Sequence, residues 1–130
     1  MAEVLVVEDD DDVAFLVQAF LELSGHHVER APDGEKGLRC LASRFPDIVV
    51  MDVEMPLLSG PGMAARMIAE DCGRECIPIV IVSGANALRS IADVVGTPYF
   101  LPKPFDAGDL LSLVSRALRE RLPPHPHLPA

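Results

Sequence analysis

The chain alternates between short runs that are apolar throughout and longer stretches in which apolar residues recur every three or four positions. Val4-Leu5-Val6-Val7, Ile48-Val49-Val50-Met51 and Ile79-Val80-Ile81-Val82 are the uniform runs, and all are rich in β-branched residues. Strands covered on both faces have this composition, because neither side of the pleat meets water. Between them lie helix-period segments. Val13, Leu16, Val17, Phe20 and Ser24 fall on one face of a first helix, with Gly25 as its C-terminal stop. A second helix is predicted from Asp33-Gly34 to before Pro46. A third follows Ser59-Gly60-Pro61, where a proline early in a helix loses no hydrogen bond. A last helix turns Leu110, Leu113, Val114, Ala117 and Leu118 inward and takes Asp106 as N-cap. It gathers Arg116, Arg119 and Arg121 at the end where the helix dipole favours cations. Two shorter, less uniform strands, around Val28 and over Tyr99-Phe100-Leu101, suit sheet edges.

Five strands with helix-period segments between them predict an α/β fold: a doubly wound five-stranded parallel sheet with helices on both faces. In such a sheet, ligands bind beyond the carboxyl ends of the strands, near the point where the strand order reverses. Those ends carry Glu8-Asp9, Asp52, Ser83-Gly84 and Lys103.

Glu8, Asp9 and Asp52 thus bring three carboxylates to one edge, where they repel; left bare, one of them has its pKa raised. A hard divalent cation relieves the repulsion. Mg²⁺ suits the place, because it takes one or two direct carboxylates, keeps several waters and leaves room for phosphate oxygens. Asp10, Asp11 and Asp12 read instead as the acidic start of the first helix. Lys103, between Pro102 and Pro104, is aimed across the same edge, and a positioned ammonium neutralises an oxygen of a transferred phosphoryl group. Ser83 brings a hydroxyl beside Gly84, whose missing side chain leaves room for close approach. A lone Ser-Gly is usually a turn and a lone Lys-Pro usually a loop. Together with the acids they make a complete phosphoryl-acceptor site, with Asp52 as the carboxylate nucleophile.

Length and charge narrow the reading. The 130 residues fit one domain, taken as residues 1–122, while the Pro- and His-rich stretch 123–130 reads as a disordered tail or linker stub. A net charge of −9 with no basic run argues against nucleic-acid and anionic-membrane partners. No apolar run approaches the roughly 18 residues of a membrane helix. Three cysteines, an odd number with no signal peptide ahead of them, point to reduced thiols in a cytosol. Cys72 and Cys76 have the spacing to clip a metal, but no histidine has an obvious place beside them.

The span from Val4 to about Leu122 resembles the receiver domain of bacterial two-component response regulators. Val-Leu-Val-Val-Glu8-Asp9 resembles the family's acidic pair, and Met51-Asp52-Val-Glu-Met-Pro56 its phosphoacceptor strand. Ser83-Gly84 matches its hydroxyl plus small residue, and Lys103-Pro104-Phe105 its lysine signature. The resemblance implies the flavodoxin-like strand order 2-1-3-4-5 and a cytoplasmic signalling switch that catalyses only its own phosphorylation and slow dephosphorylation. Asp52 would attack the phosphohistidine of a sensor histidine kinase or phosphotransfer protein. Glu8, Asp9, Asp52 and the backbone carbonyl of Glu54 would ligate Mg²⁺ or Mn²⁺, and Lys103 would pair with a phosphoryl oxygen. Ser83 and Phe100 would act as the switch pair, and a downstream protein effector would read the face built by the fourth helix, fifth strand and last helix.

Three positions depart from the family's commoner pattern. Phe100 stands where Tyr is more frequent, so no hydroxyl favours an outward rotamer; Ser83 replaces a common Thr; and Glu54 places a carboxylate two residues after the acceptor, where it alters phosphoryl lifetime. Phe15 lies opposite the inward face of the first helix, as an exposed aromatic that is either a lone surface residue or a docking contact for the kinase. Two alternatives share these motifs. A pseudo-receiver has the fold without phosphorylation, and a carboxylate-nucleophile phosphatase wants an Asp where Glu54 stands and a substrate-covering cap.

Overall fold

The three uniformly apolar runs form the centre of a parallel sheet, as expected of strands that meet no water on either face. In the computed structural model, which describes residues 2–43, 46–52, 77–84 and 96–122, five strands align. They are β1 (Glu3–Val7), β2 (His27–Ala31), β3 (Ile48–Met51), β4 (Ile79–Ser83) and β5 (Tyr99–Pro102). All neighbours pair in parallel, in the order β2-β1-β3-β4-β5. This is the predicted fold and strand order. β1, between β2 and β3, is where the order reverses, so its carboxyl end faces the crevice.

Every residue of β3 is buried, as are Val4 to Val7 of β1, whereas the edge strand β2 alternates between exposed and covered positions. The buried residues fall into two clusters, one on each side of the sheet. Leu5, Val7, Val49, Met51, Ile79 and Ile81 join Leu38 and Leu41 of helix α2 (Gly34–Ser43). Val4, Val6, Val50, Val80 and Val82 join Val17 and Leu21 of helix α1 (Asp11–Leu23), and Leu110, Val114 and Ala117 of the last described helix, Ala107–Glu120. Helices on both faces follow from this period-two division of each strand.

The helix ends follow local chemistry, of which the sequence predicts the Gly25 stop and the Asp106 cap but not the Asp10 cap. Asp10 caps α1 by accepting from the backbone N–H groups of Asp12 and Val13, at 2.9 and 3.2 Å. Gly25, at φ 91°, supplies the left-handed residue just beyond that helix. Asp33 accepts from the N–H of Lys36 at the start of α2, and Asp106 from that of Asp109 at the start of the last helix.

The inward face of α1 needs correction. Ala14, Val17 and Leu21 are the buried residues, Val13 and Phe20 flank them, and Leu16 is half exposed. The face is turned by less than one residue step of about 100° from the predicted one, and Val17 belongs to both. The reason is that Ala14, too small to weigh in an apolar pattern, lets the helix seat closely on the sheet. Phe15 is 72% exposed, as expected. The predicted helix after Ser59-Gly60-Pro61, the residues Cys72 and Cys76, and the tail 123–130 lie outside the described residues. Among the described residues no helix is long and apolar enough to cross a membrane.

Candidate functional site

Glu8 and Asp52 sit one residue past β1 and β3, and both are held by backbone bonds that extend the ladders by one step. The N–H of Glu8 donates to the carbonyl of Ala31, and that of Asp52 to the carbonyl of Val7, each at 3.0 Å. Lys103 follows β5 directly, with Pro102 at the strand end and a cis peptide to Pro104. The carboxyl ends of three strands thereby converge on one small volume.

Lys103 Nζ donates to Glu8 Oε1 at 2.7 Å and lies 3.7 Å from Asp52 Oδ2. Glu8 is only 3% exposed, and its other oxygen, Oε2, is buried with no hydrogen-bond partner. Such an orphaned carboxylate oxygen is costly unless something fills its coordination. Burial pushes the Glu8 carboxyl up from its ordinary 4.5 to about 7; the neighbouring Asp52 charge adds to the rise, and the Lys103 ammonium opposes it. The sequence predicts one raised carboxyl among three, and it falls on Glu8. For Lys103, burial works against the ammonium, but Glu8 first, then Asp52 and Asp10, outweigh it and leave its pKa above the ordinary value.

Carboxylate oxygens of Glu8, Asp9 and Asp52 all lie within 4.8 Å of one another, with Glu8 buried, Asp9 exposed and Asp52 between. The donor set fits a hard divalent cation. It is all oxygen, open to water on the Asp9 side, and contains an unpartnered buried oxygen that a cation would satisfy.

Other candidates are placed less completely. Ser83 ends β4 in register with Pro102, so its backbone stands beside the Lys103 strand end; its side chain lies outside the described residues, as does Glu54. A Cβ added at Gly84 would stand 3.8 Å from Cβ of Lys103, an ordinary contact, so the room expected beside Ser83 is not created by a clash that only glycine avoids. Phe100 pairs in register with Ile81 and is partly buried against the α2-side cluster.

Two residues that the sequence reading passed over join the picture. Arg30 of β2 reaches the loop between β1 and α1, donating to the carbonyl of Glu8 and to Asp11. Tyr99, fully buried, hydrogen-bonds Glu120 through its hydroxyl at 3.0 Å, with the Arg116 guanidinium over its ring. Neither has a local signal beyond an alternating edge strand.

Residues 4–115 match the family described as the response regulator receiver domain. The chain belongs to the response regulator receiver family. Among its relatives, PilH of Pseudomonas aeruginosa is 32% identical over 123 residues, covering 91% of this receiver and 98% of PilH. The transcriptional regulatory protein PrrA of Mycobacterium tuberculosis is 34% identical over 120 residues, covering 91% of the receiver but 50% of PrrA. The receiver thus spans about half the length of the curated transcriptional regulators it matches. The chemotaxis response regulator CheY4 of Vibrio cholerae superposes with a TM-score of 0.79 at 27% identity, over 89% of the receiver and 98% of CheY4. The fold and the receiver role in two-component signalling rest on these matches together.

Proposed function

We propose that this receiver is a phosphorylation switch in which Asp52 accepts a phosphoryl group from the phosphohistidine of a sensor histidine kinase or phosphotransfer protein. A carboxylate oxygen of Asp52 attacks phosphorus in line; the P–N bond breaks, the histidine ring keeps its electron pair and takes a proton, and an acyl phosphate remains. Mg²⁺, or Mn²⁺ in its place, would be held by Glu8, Asp9, Asp52 and the backbone carbonyl of Glu54, and when bound it would neutralise charge on the transferred oxygens. Lys103 pairs with a further phosphoryl oxygen, for which it gives up part of its present bond to Glu8. Water returning to the phosphorus ends the signal slowly.

The observation that carries this reading is the buried, unpartnered Oε2 of Glu8 beside Asp52 and Lys103. A sheet that buries a carboxylate in this way supports a bound cation better than a purely structural role.

Ser83 and Phe100 are the switch pair of this proposal. Moving a two-state equilibrium from 1:99 to 99:1 takes about 5.5 kcal/mol of differential affinity. Two or three hydrogen bonds to a charged acceptor, at roughly 1.5–3 kcal/mol each, supply that. With Phe in place of Tyr, the inward state is partly populated without phosphate. Residues 1–122 act as the receiver in the cytoplasm, and a downstream protein reads the switched face.

The test is incubation with acetyl phosphate, or a beryllium fluoride analogue, plus Mg²⁺, comparing wild type with Asp52→Ala by intact mass and amide spectra. A Mg²⁺-dependent phosphoryl adduct in wild type alone is expected. Absence of any Mg²⁺-dependent change in wild type would leave a binding module with the receiver fold.

A further inference from the structure

Arg30 makes a set of contacts that the phosphoryl site does not itself require, and all of them converge on the segment that presents Glu8 and Asp9. It lies on β2, in register with Val6, and its guanidinium crosses the strand ends to the loop between β1 and α1. Nε and Nη2 donate to the carbonyl of Glu8 at 3.2 and 2.8 Å, Nη2 reaches the carbonyl of Asp9 at 3.4 Å, and Nη1 donates to Asp11 Oδ1 at 2.8 Å. The two bonds to the Glu8 carbonyl are partly buried, whereas those to Asp9 and to the 87% exposed Asp11 side chain lie at the surface.

From this geometry we infer that Arg30 is a positioning residue for the divalent-cation site, bracing the backbone from which Glu8 and Asp9 project; the inference rests on the reading of that site proposed above. The loop has few other constraints. The N–H of Glu8 is tied to Ala31 and the carboxylate of Asp10 is committed to capping α1. The carbonyls of Glu8 and Asp9 are held by Arg30. A forked guanidinium suits this task because it fixes two carbonyls and a carboxylate at once, which a single ammonium on a flexible stem does not. Mg²⁺ demands near-octahedral geometry, so small rotations of the loop would misplace the acidic ligands. Partners behind metal ligands typically change affinity by 10–100-fold when removed.

A cation beside an acidic site also acts through space, and the two effects have opposite signs. Were Arg30 only a nearby positive charge, its removal would tighten Mg²⁺ binding, and Arg30→Lys would leave it unchanged. As a brace, both Arg30→Ala and Arg30→Lys weaken it.

The experiment is a Mg²⁺ titration of wild type, Arg30→Ala, Arg30→Lys and Asp52→Ala, followed by calorimetry and amide chemical shifts at one pH and salt concentration, with folding checked by circular dichroism. The expected result is a loss of about tenfold or more in Mg²⁺ affinity for both Arg30 variants, with faster amide exchange in the loop from Glu8 to Asp10. Unchanged or tightened binding in a folded Arg30→Ala overturns the inference, as does an Arg30→Lys variant that binds like wild type. If Arg30→Ala does not fold, Arg30→Lys alone decides. Wild type that binds no Mg²⁺, or binds it as Asp52→Ala does, overturns the site itself and is distinguishable from failure of the brace.

Discussion

Replacing Glu8 by Gln should stabilise the cation-free receiver at alkaline pH while removing its response to Mg²⁺. The folded protein holds the Glu8 carboxyl at about 7 against an ordinary 4.5. Between those two values the folded state therefore binds more protons than the unfolded chain, and stability falls as pH rises. The favourable contribution of Glu8 is complete below pH 4.5 and is lost by the time pH has passed 7. At about 1.4 kcal/mol for each pH unit between the two values, the loss is about 3 kcal/mol, with the carboxyl 3% exposed and little screened. Glutamine is neutral at every pH and keeps an oxygen for Lys103, so the variant lacks this slope.

Urea unfolding followed by circular dichroism, in chelator, at steps from pH 4.5 to pH 8 gives the comparison. With a urea dependence of roughly 1–3 kcal/mol per molar, a gap of about 3 kcal/mol separates the midpoints by about 1–3 M at pH 8, where the variant is the more stable protein. At pH 4.5 the two midpoints should nearly coincide. Addition of Mg²⁺ at about 100 times its Kd should return roughly 2.7 kcal/mol to wild type and nothing to Glu8→Gln. Parallel pH profiles for the two proteins would refute the reasoning, because they would mean that Glu8 is ionised in the fold at no cost.

Three further substitutions probe separate parts of the structure. Asp10→Ala removes the cap of α1 and should cost about 1 kcal/mol in chemical denaturation, while the Asp52-dependent reaction with acetyl phosphate survives. Tyr99→Phe removes the hydroxyl that binds Glu120 and accepts from the N–H of Leu122; it should cost about 1 kcal/mol and speed hydrogen exchange at the Leu122 amide. Phe15→Ala should change stability by less than about 0.5 kcal/mol, since the ring is exposed, yet slow phosphotransfer from a cognate kinase; unchanged transfer kinetics would remove the docking role.

The central strands were legible because burial on both faces leaves a mark that needs no partner to interpret: an unbroken β-branched run. Helix ends were legible at Gly25 and Asp106, which act on backbone groups within three residues of themselves, whereas the sequence marks Asp10 only as part of an acidic helix start and not as the cap it is. What depends on contact between distant segments was not legible. The rotation of α1 turns on Ala14 seating against the sheet, and the apolar pattern favoured the larger Leu16. Arg30 lies in the alternating edge strand β2, where an arginine usually faces solvent, and only the register of β2 on β1 brings it to the acidic loop. Tyr99 looked like part of a short apolar edge, and its hydroxyl partner lies 21 residues away on the last helix.

The division of labour between the two neighbouring acids follows from one register fact. The bond from the N–H of Glu8 to Ala31 continues the ladder of β1 on β2 one step past Val7, so Glu8 still occupies a sheet position and is covered like Val4 to Val7. The chain leaves the sheet only after it, and Asp9 is exposed. A carboxylate that completes a strand inherits the burial of that strand, and with it the raised pKa, the unpartnered oxygen and the pull on Lys103. A carboxylate one residue later inherits water. This places a dry acid and a wet acid within 4.8 Å of Asp52, an arrangement that suits a cation needing both protein oxygens and retained waters. Moving the acidic pair by one residue in either direction would turn the first acid away from Lys103 and dissolve that distinction.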